Sequence, residues 1–396
     1  MLITLLIIFA TMWGYLYFKY RDIFAPWSIT LLIWIAIISI YEFSNLEIYP
    51  TGPQFTKSIL IWNTMFCGAA YISFRLTPAY KGTEWAKSEQ SINIIKWICI
   101  ALVPVMLFLS VRFALSQGSI IDLAYNLREQ AVGDDKLDLG PLVYLIHFAY
   151  VFLIVTLDED KVNKKNMLIA LLLCLAFFIV TMSKLTFFMM AVGLLYINYS
   201  RKKIGLRPII IFAIAFVILG ILFTSLRASS SEKELNLDLI DILTIYIVSP
   251  MVAYCYVPQL TSHYWGEYTF KGVHNLFRAL GLEYTPPAVE SLGFSYVPVP
   301  TNVYTMMAPI FMDFGYPGLF VLSAAEGIII GAIYKRAETG MNLMRLLYSY
   351  LLTILVLQFF AEQFYIGLSN IAQITILILF CHLKFTFKGK QTSLDR

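Results

Sequence analysis

One string in the second half of the chain places an imidazole near a guanidinium. In KGVHNLFRALG, His274 and Arg278 are four residues apart, and residues at that spacing lie on one face of a helix. A guanidinium binds phosphate oxygens in bidentate fashion, and a neutral imidazole accepts a proton. The pair therefore suits chemistry on an anionic, oxygen-rich substrate. The same spacing also fits an amphipathic helix that lies among lipid headgroups.

Two carboxylates lie within apolar segments, where a charge is expensive and usually functional. Glu326 is found in VLSAAEGIII and Glu362 in FFAEQFYIGLSN. We expect Glu362, near the outer end of its helix, to reach a cavity beneath the outer loops. Either residue could instead be a neutral acid that is hydrogen-bonded between helices.

A third candidate region is the string TNVYTMMAPIFMDFGYPG. Asn302, Tyr304 and Asp313 supply the amide, hydroxyl and carboxylate groups that sugars bind. Gly315 and Gly318 permit close backbone approach, and nearby prolines stiffen the start of the next helix. These features predict the rim of a binding site, although a kinked helix start would also explain the proline and glycine residues.

Several motifs of soluble enzymes are missing from the sequence. It contains no GxxxxGK[ST] phosphate loop, no HExxH and no GxSxG, which argues against ATP-driven or zinc chemistry. The DxD-like string at 158–160 is predicted to lie on the inner side of the membrane. We therefore expect neither a metal nor a cofactor.

Composition identifies the elements that must position these residues. The chain is 59% hydrophobic and 14% charged, whereas soluble domains carry about 25% charge. Apolar runs of roughly 17 to 22 residues, each long enough to cross a bilayer, recur along the chain. They predict an all-α, multi-pass membrane protein with eleven spans, at 2–18, 27–44, 56–74, 95–115, 141–157, 167–182, 185–200, 208–226, 315–334, 342–362 and 366–383.

The distribution of positive charge gives the orientation. Most of the 29 basic residues fall on one side if the chain breaks at Ser183–Lys184, and basic loops face the cytoplasm. This predicts an N-terminus outside and a C-terminus inside. The outer loops then carry few cations, so Arg128 and Arg227 stand out as candidate ligands for an anion. A headgroup contact or a salt bridge is the alternative for each.

The predicted organisation has three parts. Residues 1–226 hold eight spans and an outer loop at 116–140; residues 227–314 form a large outer loop with short helices; residues 315–396 hold three spans and an inner tail. Within the large loop, 239–257 is apolar, but Asp241 and Pro250 favour an interfacial or re-entrant helix.

The TNVYT and DFGxxG strings, Thr301–Thr305 and Asp313–Gly318 in this sequence, resemble those of the Wzy-type O-antigen and repeat-unit polymerases. The helix count, the long late loop and the arginine-bearing earlier loop are also similar to that family. The resemblance implies a GT-C-like glycosyltransferase in the bacterial inner membrane. It would polymerise oligosaccharide units linked to undecaprenyl pyrophosphate at the periplasmic face, as a step in lipopolysaccharide biosynthesis.

That resemblance suggests roles for the candidate residues. Arg128, Arg227 and Arg278 would bind the pyrophosphate, and Asn302 and Tyr304 would contact the substrate. His274 would be the catalytic base, with Glu362 or Asp313 as substitutes. The implied partners are the lipid-linked oligosaccharides, membrane lipid and a chain-length regulator protein, with no nucleic acid.

Two other functions fit the layout less well. An O-antigen ligase has similar loops, but the TNVYT and DFG strings favour a polymerase. A flippase or other transporter would need charged residues in many spans or two repeated halves, and the sequence shows neither.

Overall fold

The computed structural model describes residues 1–44, 49–118, 123, 126–127, 137, 139–181, 184–202, 207, 211, 239–256, 262, 264–282, 294–298 and 300–384. This part of the chain is mostly helical. The helices are α1 Leu2–Tyr20, α2 Pro26–Phe43, α3 Pro53–Leu76, α4 Glu89–Ser116, α5 Leu145–Leu157, α6 Lys164–Thr181, α7 Lys184–Ser200, α8 Leu239–Cys255, α9 Lys271–Ala279, α10 Met307–Glu338, α11 Asn342–Val356 and α12 Leu368–Phe380.

Seven helical segments are long and apolar enough to cross a bilayer: α1 to α4, α6, α10 and the segment Gly140–Leu157, in which a 3₁₀ turn leads into α5. Four shorter helices, α7, α8, α11 and α12, are also apolar. This arrangement confirms the prediction of a multi-pass membrane protein. The predicted span 208–226, apart from position 211, and Ser183 at the predicted break lie outside the described residues.

Some boundaries differ from those predicted. Helix α10 begins at Met307, well before the predicted position 315, and α11 ends at Val356 instead of 362. The large loop also contains a short antiparallel hairpin, β1 Ser295–Tyr296 and β2 Pro300–Thr301, with Ser295 opposite Thr301. These two-residue strands lie within the predicted loop, and the described part of the chain is otherwise mostly helical, as the all-α prediction expects.

The chain forms two compact units. Unit 1 comprises residues 1–82 and 191–372, and in it α3 packs extensively against α10. A Cβ atom at Gly327 would lie 2.5 Å from the Phe66 carbonyl oxygen, and one at Gly331 would lie 2.3 Å from that of Ala70. Glycines four residues apart thus bring the two backbones into contact, as in many membrane helix pairs.

Helix α8 also belongs to unit 1, where it packs against α2 and α3. Its second half is buried, and the hydroxyl groups of Tyr254 and Ser58 are 2.7 Å apart. The placement of 239–257 as an interfacial or re-entrant helix stays a prediction.

Unit 2 comprises residues 83–190 and 373–396, and in it α4 packs against α5 and α6. The buried Asp158 carboxylate lies 3.0 Å from Lys87 Nζ. A buried carboxylate needs such a partner, so this ion pair is part of the unit's framework.

Candidate functional site

The candidate site in unit 1 is built around α9 and the segment before it. His274 is buried, and its Nε2 lies 3.0 Å from the Trp265 carbonyl oxygen. A carbonyl only accepts, so Nε2 donates, and in the neutral ring Nδ1 is then the basic nitrogen. Arg278 lies four residues further on and is exposed. The helix thus holds an oriented imidazole below a surface guanidinium.

Asp313 fixes the turn that precedes α9. Its carboxylate accepts hydrogen bonds from the backbone N–H groups of Tyr268, at 3.1 Å, and Thr269, at 2.7 Å. Hydrogen bonds to a charged acceptor are among the stronger ones in proteins. The carboxylate of the DFG string therefore positions the segment that carries His274.

Gly315 interrupts α10 directly after this carboxylate. Its backbone angles are φ 62° and ψ −152°, a region that is essentially restricted to glycine. Phe314 lies at the break, with its ring centroid 5.4 Å from that of Trp265. A Cβ atom at Gly318 would lie 2.2 Å from the Phe314 Cβ, so a glycine there leaves room for the phenylalanine.

Glu362 organises the connection between α11 and α12. Its Oε1 accepts from the backbone N–H groups of Phe364 and Tyr365, both at 2.8 Å, and its Oε2 from Ile366 at 2.7 Å. These bonds form a compact turn in the connection that follows the end of α11 at Val356. The turn packs on the start of α9, where a Cβ atom at Gly272 would lie 3.2 Å from the Ile366 carbonyl oxygen.

The segment that follows the β-hairpin contacts the same connection. Met306, after the hairpin, donates its N–H to the Gln358 carbonyl at 3.0 Å. Tyr304 is buried, and its hydroxyl is 3.0 Å from Ser295 Oγ. Asn302 is exposed at the end of β2. Of these two candidate sugar ligands, Asn302 is thus at the surface and Tyr304 is built into the hairpin.

The structure therefore brings together segments that are distant in the sequence. His274, Asp313 and Glu362 lie on three segments that contact one another, and Arg278 shares a helix with His274. Arg128 and Arg227 lie outside the described residues. Among the described residues, no three His, Cys, Asp or Glu side chains are grouped closely enough to hold a metal ion.

Sequence reasoning missed the aromatic part of this site. The Trp265 ring stacks on Phe270 with centroids 5.1 Å apart, yet the tryptophan is 73% exposed. Phe270 in turn contacts Tyr365 at 5.6 Å. A buried acid, Glu267, lies in the same segment. The density of aromatic residues just before His274 was the available signal.

Fold and site together define a multi-pass membrane protein whose candidate polar groups gather at one end of the long helix α10. The family model described as "Putative O-antigen polymerase" matches residues 1–359. The chain therefore belongs to the O-antigen polymerase family, as the resemblance predicted. The match includes every predicted site residue except Glu362. No curated protein and no solved structure matches the chain.

Proposed function

We propose that the protein polymerises lipid-linked oligosaccharide repeat units into O-antigen or a related surface polysaccharide. The growing glycan leaves undecaprenyl pyrophosphate and is transferred to the non-reducing end of another lipid-linked unit, at the periplasmic face of the bacterial inner membrane. Family membership supports the polymerase activity. The GT-C-like architecture, the orientation and a chain-length regulator as partner belong to the same proposal.

The transfer is a substitution at the anomeric carbon. A hydroxyl oxygen of the acceptor sugar forms the new bond to that carbon, and the bond from the carbon to the pyrophosphate oxygen breaks. The acceptor's proton passes to a base, and undecaprenyl pyrophosphate leaves with the bonding electrons. Cationic groups at the leaving phosphates lower the barrier because they stabilise the charge that develops there.

The orientation of His274 carries this assignment. With Nε2 donating to the Trp265 carbonyl at 3.0 Å, the neutral ring has its basic nitrogen at Nδ1. This atom is buried, so in this proposal the acceptor hydroxyl enters the site to within hydrogen-bond reach of it. Exposed Arg278, one helical turn away, is suited to the pyrophosphate together with Arg128 and Arg227. The exposed Trp265 face offers a surface on which a sugar ring can stack.

Asp313 and Glu362 have a positioning role in this proposal. Each carboxylate already accepts backbone hydrogen bonds, Asp313 two and Glu362 three. Those bonds fix the two segments that flank α9. Asn302, exposed beside them, is the candidate contact to the glycan, and buried Tyr304 supports the hairpin that presents it.

The test is complementation of a strain that lacks the gene, with the surface glycan separated by length. We expect Arg278→Ala to shift the glycan to single repeat units. The matched control is Arg112→Ala, an exposed arginine at the end of α4. His274→Gln keeps an N–H that can reach the Trp265 carbonyl but has no basic nitrogen, so we expect normal protein levels and no polymer.

The deletion itself separates the related functions. Loss of a polymerase leaves one repeat unit on the lipid A core, loss of a ligase leaves none, and loss of a flippase traps lipid-linked units inside the cell. Polymer of normal length in Arg128→Ala, Arg227→Ala and Arg278→Ala would overturn the mechanism.

A further inference from the structure

A polar cavity of about 660 Å³ lies at the other end of α10. It is formed where α1 connects to α2, at the C-terminal ends of α7 and α10, and at the start of α11. Two acids, two bases and aromatic hydroxyl groups line it, among them Asp22, Glu338, Lys202, Arg345, Tyr199 and Tyr334. All of these residues belong to unit 1, and none of them is used by the proposed polymerase reaction.

One part of the lining suits an ammonium group. The Asp22 carboxylate accepts from the Tyr334 hydroxyl and, at 2.8 Å, from the Phe24 N–H. Glu338 is exposed and lies 3.3 Å from Lys335 Nζ. Tyr199 also lines the cavity, whereas the ring of Tyr334 packs against Trp27, Phe74 and Tyr348. Carboxylates and aromatic faces are the groups that bind organic ammonium ions.

Another part of the lining suits a phosphate. Arg345 is buried at the cavity, and Lys202 is exposed at the end of α7 with a left-handed backbone, φ 54°. Guanidinium and ammonium groups are the usual phosphate ligands in proteins. The cavity therefore contains both signs of charge, which disfavours a ligand that is only anionic or only cationic.

The surroundings indicate where such a ligand comes from. The cavity lies at the ends of membrane-crossing helices, where further basic residues gather at the ends of α1, α3 and α10, namely Lys19, Arg21, Arg75, Lys335 and Arg336. Helix ends with basic residues lie at the level of the lipid headgroups. A membrane lipid that carries both an ammonium and a phosphate matches this position and this lining.

We propose that the cavity binds the headgroup of a zwitterionic phospholipid with a primary ammonium, such as phosphatidylethanolamine. The ammonium lies against Asp22, Glu338 and the Tyr199 ring, and the phosphodiester lies against Lys202 and Arg345. This is a lipid site at the basic end of the bundle, remote along α10 from the candidate polymerase site.

Native mass spectrometry of the full-length protein tests this proposal. The protein is released from micelles that contain equal amounts of phosphatidylethanolamine and phosphatidylglycerol, which lacks the ammonium. We expect the wild type to retain phosphatidylethanolamine preferentially. Lys202→Ala should reduce its retention about fivefold, the effect of one cation at a membrane surface, and Glu338→Gln should remove the preference. Both residues are exposed, so the variants should fold.

Arg336→Ala is the matched control, because this exposed cation is close to Glu338 but does not line the cavity. It should retain lipid as the wild type does. Equal retention of the two lipids by the wild type, or equal losses in Lys202→Ala and Arg336→Ala, would overturn the proposal. Soluble glycerophosphoethanolamine is also added as a competitor for the bound lipid. If it displaces phosphatidylethanolamine from the wild type but not from Glu338→Gln, the result supports recognition of the headgroup, with little affinity from the acyl chains.

Discussion

The two ends of α10 use carboxylates in different ways. At the end near Gly315, Asp313 and Glu362 accept hydrogen bonds from five backbone N–H groups, two at Asp313 and three at Glu362. At the basic end, Asp22 and Glu338 line an open cavity. The first pair accepts from backbone N–H groups and shapes loops. The second pair borders the cavity and has partners of its own: Asp22 accepts from the Tyr334 hydroxyl and the Phe24 N–H, and Glu338 pairs with Lys335.

The backbone explains this difference. Residues 264–270 and 357–367 are irregular segments, and their buried N–H groups need acceptors that a helix would otherwise supply. At the basic end, the connection between α1 and α2 is short, and Asp22 accepts from the Phe24 N–H within it. The carboxylates therefore hold more backbone groups at the end near Gly315 than at the basic end, where Asp22 and Glu338 also border the cavity.

The largest effect is expected at Glu362. Glu362→Ala leaves three backbone N–H groups without their acceptor, which should lower the free energy of unfolding by at least about 3 kcal/mol. Thermal unfolding in detergent measures this loss. The control, Glu338→Ala, removes an exposed carboxylate with one ion pair and should cost at most about 1 kcal/mol. Equal losses of stability in Glu362→Ala and Glu338→Ala would contradict the distinction between the two ends of α10.

Glu362→Gln sharpens the same comparison. The amide keeps one acceptor oxygen, so we expect a smaller loss of stability than in Glu362→Ala. If Glu362 only positions the turn, the amount of polymer made by each Glu362 variant should fall in proportion to the amount of folded protein. A stable variant without polymer would instead assign Glu362 to the reaction.

The contact between α3 and α10 supports both ends, and Gly331→Ala tests it. The new Cβ would lie 2.3 Å from the Ala70 carbonyl oxygen, so the helices must separate at a cost of about 1–3 kcal/mol. The control is Gly14→Ala in α1, where nothing lies within 4 Å of the added atom. Unfolding in detergent should show a loss for Gly331→Ala alone.

Gly315→Ala changes only the end of α10 that carries the candidate polymerase site. Alanine at φ 62° and ψ −152° is strained by about 1–3 kcal/mol, and relief of the strain would move Asp313 and Phe314. We expect shortened glycan and a modest loss of stability. Gly52→Ala, at an ordinary φ of −83°, should leave both unchanged; normal glycan from Gly315→Ala would show that the break is not needed for polymerisation.

The smallest effect concerns Asp22 at the basic end. Burial raises the pKa of this carboxyl above its ordinary value of 3.8, and the charge of Glu338 adds to the rise. The stability that Asp22 contributes is then fully present below pH 3.8 and is lost as the pH rises through its folded-state pKa. Asp22→Asn should therefore be more stable than the wild type at neutral pH, and this difference should shrink toward acid pH.

The free energy of unfolding of both proteins, measured from acid to neutral pH, checks this expectation. Tyr334→Phe removes the hydroxyl that donates to Asp22, a bond that lowers the pKa of this carboxyl, so the loss of stability with rising pH should extend to higher pH. Parallel pH profiles for the wild type and Asp22→Asn would contradict a raised pKa.

Much of the site was readable from local sequence. The proline and glycine pattern around Asp313 indicated a kinked helix start, and the structure has its break at Gly315. The function assigned to Asp313 was not readable, because its hydrogen-bond partners Tyr268 and Thr269 precede it by more than 40 residues. The bond between the Tyr304 hydroxyl and Ser295 was not readable either, because nothing in the string reveals it; Tyr304 as a sugar ligand stays a prediction.

The sequence by itself determined the membrane class, the positions of most helices and the family, since hydropathy and short motifs are properties of contiguous residues. Only the tertiary structure decided which polar groups are consumed by the backbone and which face a cavity. The cavity at the basic end joins residues 22, 202, 338 and 345, and no local pattern connects them. Burial and hydrogen bonding are set by contacts between distant segments, which form only when the chain folds.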